Sequence, residues 1–159
     1  MAQKFEGRVV GIYIALAEGA PMELRDTVRA LAGKGLEGDR YANEAGKYSG
    51  VRIEHAQRAV TLIEREAVQG AVAEHGIELA EQETRRNIVT EGVRLNDLVG
   101  QEFLVGGVRL RGFDLSHPCV YLEELTRPGV RPALIDRGGL RAEILDDGPI
   151  QIGDTITRA

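Results

Sequence analysis

Apolar and polar residues alternate along much of this chain with the period of a β-strand. In "FEGRVVGIYIALA" the apolar positions fall on both faces of an extended segment, which predicts a first strand buried on both sides. One predicted face carries Val10, Ile12, Ile14 and Leu16, and the other carries Val9 and Tyr13.

The same period returns in the second half of the chain. In "FLVGGVRLRG" Val108 and Leu110 alternate with Arg109 and Arg111, and the Gly-Gly pair predicts a hairpin turn. "GGLRAEILDDGPIQIGDTI" repeats this plan, with a predicted turn at residues 147–149. The isoleucines after that turn are expected on one face: Ile150, Ile152 and Ile156.

One segment changes from the strand period to the helix period. "RAVTLIEREAVQGAVAEHG" begins with a β-type run at residues 60–63. It continues as a predicted helix that ends at Gly76. The apolar face of this helix is expected to contain Ala67, Val68, Ala71 and Val72.

Short antiparallel strands, Gly-containing turns and few helices together predict a mainly β (α+β) fold. We expect a closed or nearly closed antiparallel β-barrel with a few peripheral helices. A length of 159 residues fits one domain, spanning 1–159.

Composition narrows the class of protein further. The chain is 43% hydrophobic and 28% charged, and it has no membrane-length apolar run and no apolar signal core, so we expect a cytoplasmic protein that does not bind membranes. A net charge of -5 with scattered basic residues argues against a nucleic-acid partner. The single cysteine excludes an internal disulfide and a cysteine-rich zinc site.

That cysteine, Cys119, is the first candidate for chemistry. "SHPCVYLEELT" predicts a helix with Pro118 as its first residue and Ser116 or His117 as its cap. Cys119 is then expected in the first turn, where backbone amides and a protonated His117 would favour a thiolate able to attack sulfur or bind a soft metal. The alternative is that Cys119 is a small buried hydrophobe, and the residues alone leave both interpretations open.

Two adjacent arginines in "ETRRNIVTEG" form the second candidate. In a strand Arg85 and Arg86 would point to opposite faces, so that one reaches an interior anion, with phosphate the natural ligand, and Asn87 shares the second face. The alternative is a surface strand end with two solvated arginines.

The third candidate is the glycine-rich "GKGLEGDRY", in which Asp39 and Arg40 follow Gly38. Such a loop can present backbone amides to phosphate, although the ending of a P-loop is missing. The alternative is an Asp39–Arg40 pair that fixes a turn.

Taken in order, these stretches resemble the MOSC domain, which is named after the C-terminal domain of molybdenum cofactor sulfurases. The resemblance rests on "GKGLEGDRYANEAGKYS", "RAVTLIERE", "TRRNIVTEGVRLNDLVGQEFLVGGVRLRG", "HPC" and "GGLRAEILDDGPIQIGD". It implies a β-rich barrel and places the hallmark cysteine of the family at Cys119. Some small relatives have a second cysteine where this chain has Ser116.

The resemblance implies two roles for Cys119, both of which need a thiolate. It would carry sulfur as a persulfide received from a pyridoxal-phosphate cysteine desulfurase, or it would ligate molybdenum in the molybdenum cofactor. The phosphate of that cofactor would give Arg85, Arg86 and Arg40 a ligand. Pyridoxal phosphate would belong to the desulfurase partner, and a molybdoenzyme is the other expected partner.

Two further interpretations remain at this point. One is a molybdenum-cofactor-dependent reductase of N-hydroxylated compounds, as found among relatives of the family. The other is a non-catalytic binding module with an inert cysteine.

Overall fold

The computed structural model describes residues 6–43 and 56–159. Phe5 of the first predicted strand lies outside these ranges, as do residues 44–49 at the end of the stretch "GKGLEGDRYANEAGKYS". The strands are β1 (Gly7–Ile14), β2 (Glu23–Leu24), β3 (Thr27–Leu31), β4 (Gly35–Leu36), β5 (Val60–Glu64), β6 (Ile88–Glu91), β7 (Glu102–Val105), β8 (Val108–Leu115), β9 (Leu140–Ile144), β10 (Gly148–Gln151) and β11 (Thr155–Arg158). The helices are α1 (Arg65–His75), α2 (Val120–Leu125) and α3 (Val130–Ala133), with 3₁₀ turns at Glu81–Thr84 and Leu95–Leu98.

Seven strands close into a barrel, which confirms the fold expected from the period-two pattern. Their order is β11, β7, β8, β9, β5, β6 and β1, and β1 pairs back to β11. The expectation of an antiparallel barrel needs one correction, because β5 and β6 are parallel. The chain between them contains α1, which supplies the crossover that a parallel pair requires.

A small second sheet and a short extra strand lie beside the barrel. β10, β3 and β4 form the three-stranded sheet, and β2 pairs with β1. No helix in residues 6–43 and 56–159 is long and apolar enough to cross a membrane.

Two apolar clusters hold the fold together. The larger one lies in the barrel and includes Ile12, Leu62, Phe103 and Leu140, all fully buried. The smaller one packs α1, α2 and α3 against the barrel wall and includes Val68, Leu122 and Leu134. The helices are therefore fixed to one side of the barrel, and α2, the helix next to Cys119, is fixed with them.

The first strand is buried on both sides as expected, but its faces are divided differently. A bulge between Val9 and Gly11 shifts the register, so Val9 joins Ile12 in the barrel cluster while Val10 joins the helix-side cluster. The predicted grouping of Val10 with Ile12 was therefore wrong. Leu16 lies beyond the end of β1 and is exposed.

The helix and the hairpin are confirmed, whereas the C-terminal strands are arranged differently from the prediction. α1 ends at Gly76, which has a φ of 62° in the left-handed region, and only Val72 of its predicted apolar face is exposed. Strand β10 pairs with β3 rather than β9. Ile152 is exposed because it lies in the turn between β10 and β11, so it does not share a face with Ile150.

Candidate functional site

Cys119 occupies the N-cap position of α2 rather than its first turn, and its side chain makes no capping hydrogen bond. The helix begins at Val120, and Cys119 has an extended backbone with φ -128° and ψ 170°. The predicted helix start at Pro118 was therefore wrong by two residues. Cys119 is exposed, which contradicts the alternative that it fills the core. His117 is also exposed, and Pro118 between them is buried.

A pocket of about 270 Å³ has Cys119 in its wall. His117, Tyr41 and Tyr121 line it as well. Its arginines are Arg40, Arg58, Arg85, Arg86 and Arg141. Closure of the barrel thus brings the cysteine segment, the double-arginine segment and the glycine-rich loop to one place.

Both arginines of the pair line this pocket, contrary to the expectation that they would point to opposite faces. The reason is that they precede the strand: β6 begins only at Ile88. Arg85 follows the 3₁₀ turn with a left-handed φ of 62°, which breaks the strand alternation. The alternative of two solvated arginines is also wrong, because both side chains are partly buried.

Arg86 is bonded to the backbone on two sides. Its Nε donates to the carbonyl of Gly138 at 2.7 Å, and its Nη2 donates to the carbonyl of Ser116 at 3.1 Å. Burial lowers the pKa of Arg86 to about 10, and nearby Tyr41 and Cys119 oppose that shift. The guanidinium therefore remains charged at neutral pH.

Arg85 carries an unused donor. Its Nη2 is buried and makes no hydrogen bond to any residue within 6–43 or 56–159. Burial lowers the pKa of Arg85, and the neighbouring Arg40 charge lowers it further. An anion bound in the pocket would accept a hydrogen bond from the unused Nη2 donor. It would also offset the neighbouring positive charges of Arg85 and Arg40.

Asp39 acts as the support of Arg40. The Asp39 carboxylate is fully buried, where Oδ1 accepts from the Ala15 amide at 2.9 Å and from Arg40 Nη1 at 3.1 Å. Desolvation raises the pKa of Asp39, and the Arg40 charge opposes this rise. Arg40 also donates to the carbonyl of Arg85 at 3.2 Å and lies 4.5 Å from the ring centre of Tyr41. Asp39 thus fixes the turn, while Arg40 faces the pocket.

Asn87 lies in the barrel wall. Its Oδ1 accepts from the amide and the hydroxyl of Thr61, at 3.1 and 3.2 Å, and its Nδ2 donates to the carbonyl of Tyr13 at 3.1 Å. The side chain therefore ties β5 to β1 at the start of β6. These hydrogen bonds join strands of the barrel, although Asn87 directly follows two arginines that line the pocket.

The sequence did not single out Arg58 or Arg141. Arg141 lies in β9, and its guanidinium binds the Asp114 carboxylate through two hydrogen bonds, one of them 2.6 Å long. Arg58 lies two residues before the start of β5. Each is an isolated arginine in its own stretch, so only the pairing of distant strands shows that they share a pocket.

The pocket has an excess of positive charge. Among residues 6–43 and 56–159, Asp39 pairs with Arg40 and Asp114 with Arg141, whereas Arg85 and Arg86 form no ion pair, and Glu18 is an acidic residue in the wall. A cavity lined this way attracts anions. Within the described ranges, no three His, Cys, Asp or Glu side chains are grouped to hold a metal ion by themselves.

The closed barrel is the fold expected from the family resemblance, and Cys119 lies in the wall of its basic pocket. The model of the MOSC domain family matches residues 45–157, and the chain belongs to that family. No curated protein sequence matches the chain.

Solved structures resemble the whole chain. The YuaD protein from Bacillus subtilis superposes with a TM-score of 0.80 at 18% identity, over 99% of this chain and 97% of that one. YiiM from Geobacillus stearothermophilus gives 0.73 at 14% identity, over 96% and 75%. YiiM from Escherichia coli gives 0.67 at 16% identity, over 99% and 70%. At these identities the likeness shows the fold.

Proposed function

We propose that this MOSC-domain protein binds the molybdenum cofactor, with Cys119 as the sulfur ligand of molybdenum and the pocket arginines as the phosphate site. The observation that carries the proposal is that an exposed cysteine and five arginines line one cavity. Thiolate sulfur is a soft ligand suited to transition metals, and guanidinium groups suit phosphate oxygens.

The residues present fit such a ligand. Arg85 offers a buried N–H donor that no described residue uses, and a phosphate oxygen would accept from it. The cavity, about 270 Å³, is slightly smaller than the usual range for ligand pockets, roughly 300–1,000 Å³. It therefore suits the polar end of a pterin-sized ligand rather than all of it.

Each residue has a distinct task in this proposal. Arg85 and Arg86 bind the phosphate, and Arg40, held by Asp39, extends the same positive surface. Cys119 supplies the sulfur, and the exposed His117 two residues before it lies at the pocket wall. The cofactor, when bound, supplies a redox-active metal, and N-hydroxylated compounds are the substrate class for a reductase of this kind.

A second candidate function is sulfur transfer in the cytoplasm, and the exposure of Cys119 favours it. The Cys119 thiolate would attack the outer sulfur of a persulfide on a pyridoxal-phosphate cysteine desulfurase. The new S–S bond forms on Cys119, and the donor cysteine leaves as a thiolate. A molybdoenzyme would be the acceptor. Since Cys119 is the single cysteine of the chain, any resolving thiol comes from the partner.

Metal and pterin content of purified protein tests the proposal. The protein, its Cys119→Ser variant and an Arg109→Gln control are to be expressed in a host that makes molybdenum cofactor. We expect molybdenum in the native protein and in Arg109→Gln, where the exposed arginine pairs with Glu102, and none in Cys119→Ser. No molybdenum in any of the three, with cofactor still present in the host, would contradict cofactor binding and favour persulfide transfer or a simple binding role.

A further inference from the structure

Arg86 holds together the two chain segments that position Cys119. One segment is residues 116–118, which lead into the cysteine, and the other is Gly138 and Gly139, which lead into β9. The amide of Ser116 donates to the carbonyl of Gly139 at 2.7 Å. The Arg86 guanidinium then bridges the carbonyls of Ser116 and Gly138, at 3.1 and 2.7 Å.

The two segments approach each other closely enough to need a glycine. A Cβ at Gly138 would lie 2.4 Å from the Ser116 carbonyl oxygen and 3.0 Å from Pro118 Cδ. The absence of a side chain at Gly138 therefore lets both carbonyls reach the same guanidinium. Arg86 therefore adds two hydrogen bonds to the Ser116–Gly139 backbone contact that joins these segments.

The charge of Arg86 is not neutralised by a carboxylate. Arg40 and Arg141 have carboxylate partners in the same pocket. Arg86 bonds instead to neutral carbonyls, and within residues 6–43 and 56–159 it forms no ion pair. Arg86 and Cys119 both line the pocket, and Cys119 is near enough to oppose the lowering of the Arg86 pKa by burial. A negatively charged molecule that approaches the sulfur therefore meets an uncompensated cation.

We propose that Arg86 determines which reactants reach Cys119. Its guanidinium, which also bonds to the loop before the cysteine, directs anionic disulfides and persulfides to the sulfur in preference to neutral ones. The inference rests on the proposed function in requiring a reactive Cys119, but it needs no cofactor. In the reaction the Cys119 thiolate attacks one sulfur of the disulfide, a mixed disulfide forms, and the other half leaves as a thiolate.

Two disulfide reagents that differ in charge test this selectivity on the purified apoprotein. The rate of reaction of Cys119 with dianionic 5,5′-dithiobis(2-nitrobenzoate) is divided by its rate with neutral 4,4′-dithiodipyridine at the same pH and salt concentration. The ratio cancels the fraction of thiolate, so it reports selectivity alone. The proteins compared are the native chain, Arg86→Gln, Arg86→Lys and Arg109→Gln, the last as a control with the same change in net charge.

We expect the ratio to fall roughly three- to tenfold in Arg86→Gln, as for removal of one close charge in a partly screened site. Arg86→Lys restores most of the ratio, which a purely structural role would not do, and Arg109→Gln leaves it unchanged. An equal ratio in Arg86→Gln and Arg109→Gln would overturn the inference.

If Arg86→Gln does not fold, the salt dependence of the two reaction rates is measured on the native protein instead. Added salt must then slow the anionic reagent more than the neutral one, and equal slowing overturns the inference. Neither outcome bears on the proposal of cofactor binding, because the molybdenum content of the purified protein tests that proposal separately.

Discussion

At the scale of single residues, Asn87 shows that a side chain beside candidate ligand residues can have hydrogen bonds within the barrel wall. Its position directly after Arg85 and Arg86 led to the prediction of a binding role, but its amide group joins Thr61 and Tyr13 in the barrel wall. Asn87 is fully buried, so each of these hydrogen bonds replaces contact with water. We therefore expect stability rather than ligand affinity to depend on it.

Replacement of Asn87 by Ala is expected to lower the free energy of unfolding by about 2–4 kcal/mol, because it leaves the Thr61 amide and the Tyr13 carbonyl buried without their partner. Urea denaturation followed by circular dichroism measures the change. Asn96→Ala is the matched control, since Asn96 makes one exposed hydrogen bond to the Asp136 carbonyl. Equal stability of the two variants would show that the Asn87 network does not support the barrel.

At the scale of elements, local patterns predicted the elements whose contacts are local. The hairpin of β7 and β8 and the end of α1 at Gly76 follow from alternation, a Gly-Gly turn and a glycine cap. The bulge in β1 and the left-handed backbone conformation of Arg85 were not predicted, because neither can be recognised from the order of apolar residues. Two of the incorrect predictions, the face of Val10 and the opposite orientation of the arginine pair, come from these two irregularities.

The junction between β8 and β9 offers a test at this scale. Gly138→Ala is expected to lower the free energy of unfolding by about 1–3 kcal/mol, because the new methyl group would overlap the Ser116 carbonyl oxygen. Urea denaturation again measures the change, with Gly107→Ala as the control, since a Cβ there meets no atom within 4 Å. Wild-type stability in Gly138→Ala would mean that the junction is not tightly packed.

At the scale of the whole molecule, the candidate site exists only because the barrel closes. Cys119 and its neighbours come from the loop before α2, Arg85 and Arg86 from the segment before β6, and Arg141 from β9. The sequence identified the cysteine and the arginine pair through the family resemblance and their local context. It could not place Arg141 or Arg58 beside them, because that proximity depends on strand pairing between distant parts of the chain.

The central claim is that the arginines lining the pocket bind a phosphate group. Calorimetric titration of the apoprotein with inorganic phosphate tests it most directly, for the native chain, Arg85→Gln and the Arg109→Gln control. We expect Arg85→Gln to weaken binding by about tenfold or more, since a charged hydrogen bond contributes roughly 1.5–3 kcal/mol. Arg109→Gln should remain within about twofold of the native chain, because salt screens its exposed charge. Equal phosphate affinity in the native chain and Arg85→Gln, or no phosphate binding to the native chain, would contradict the account.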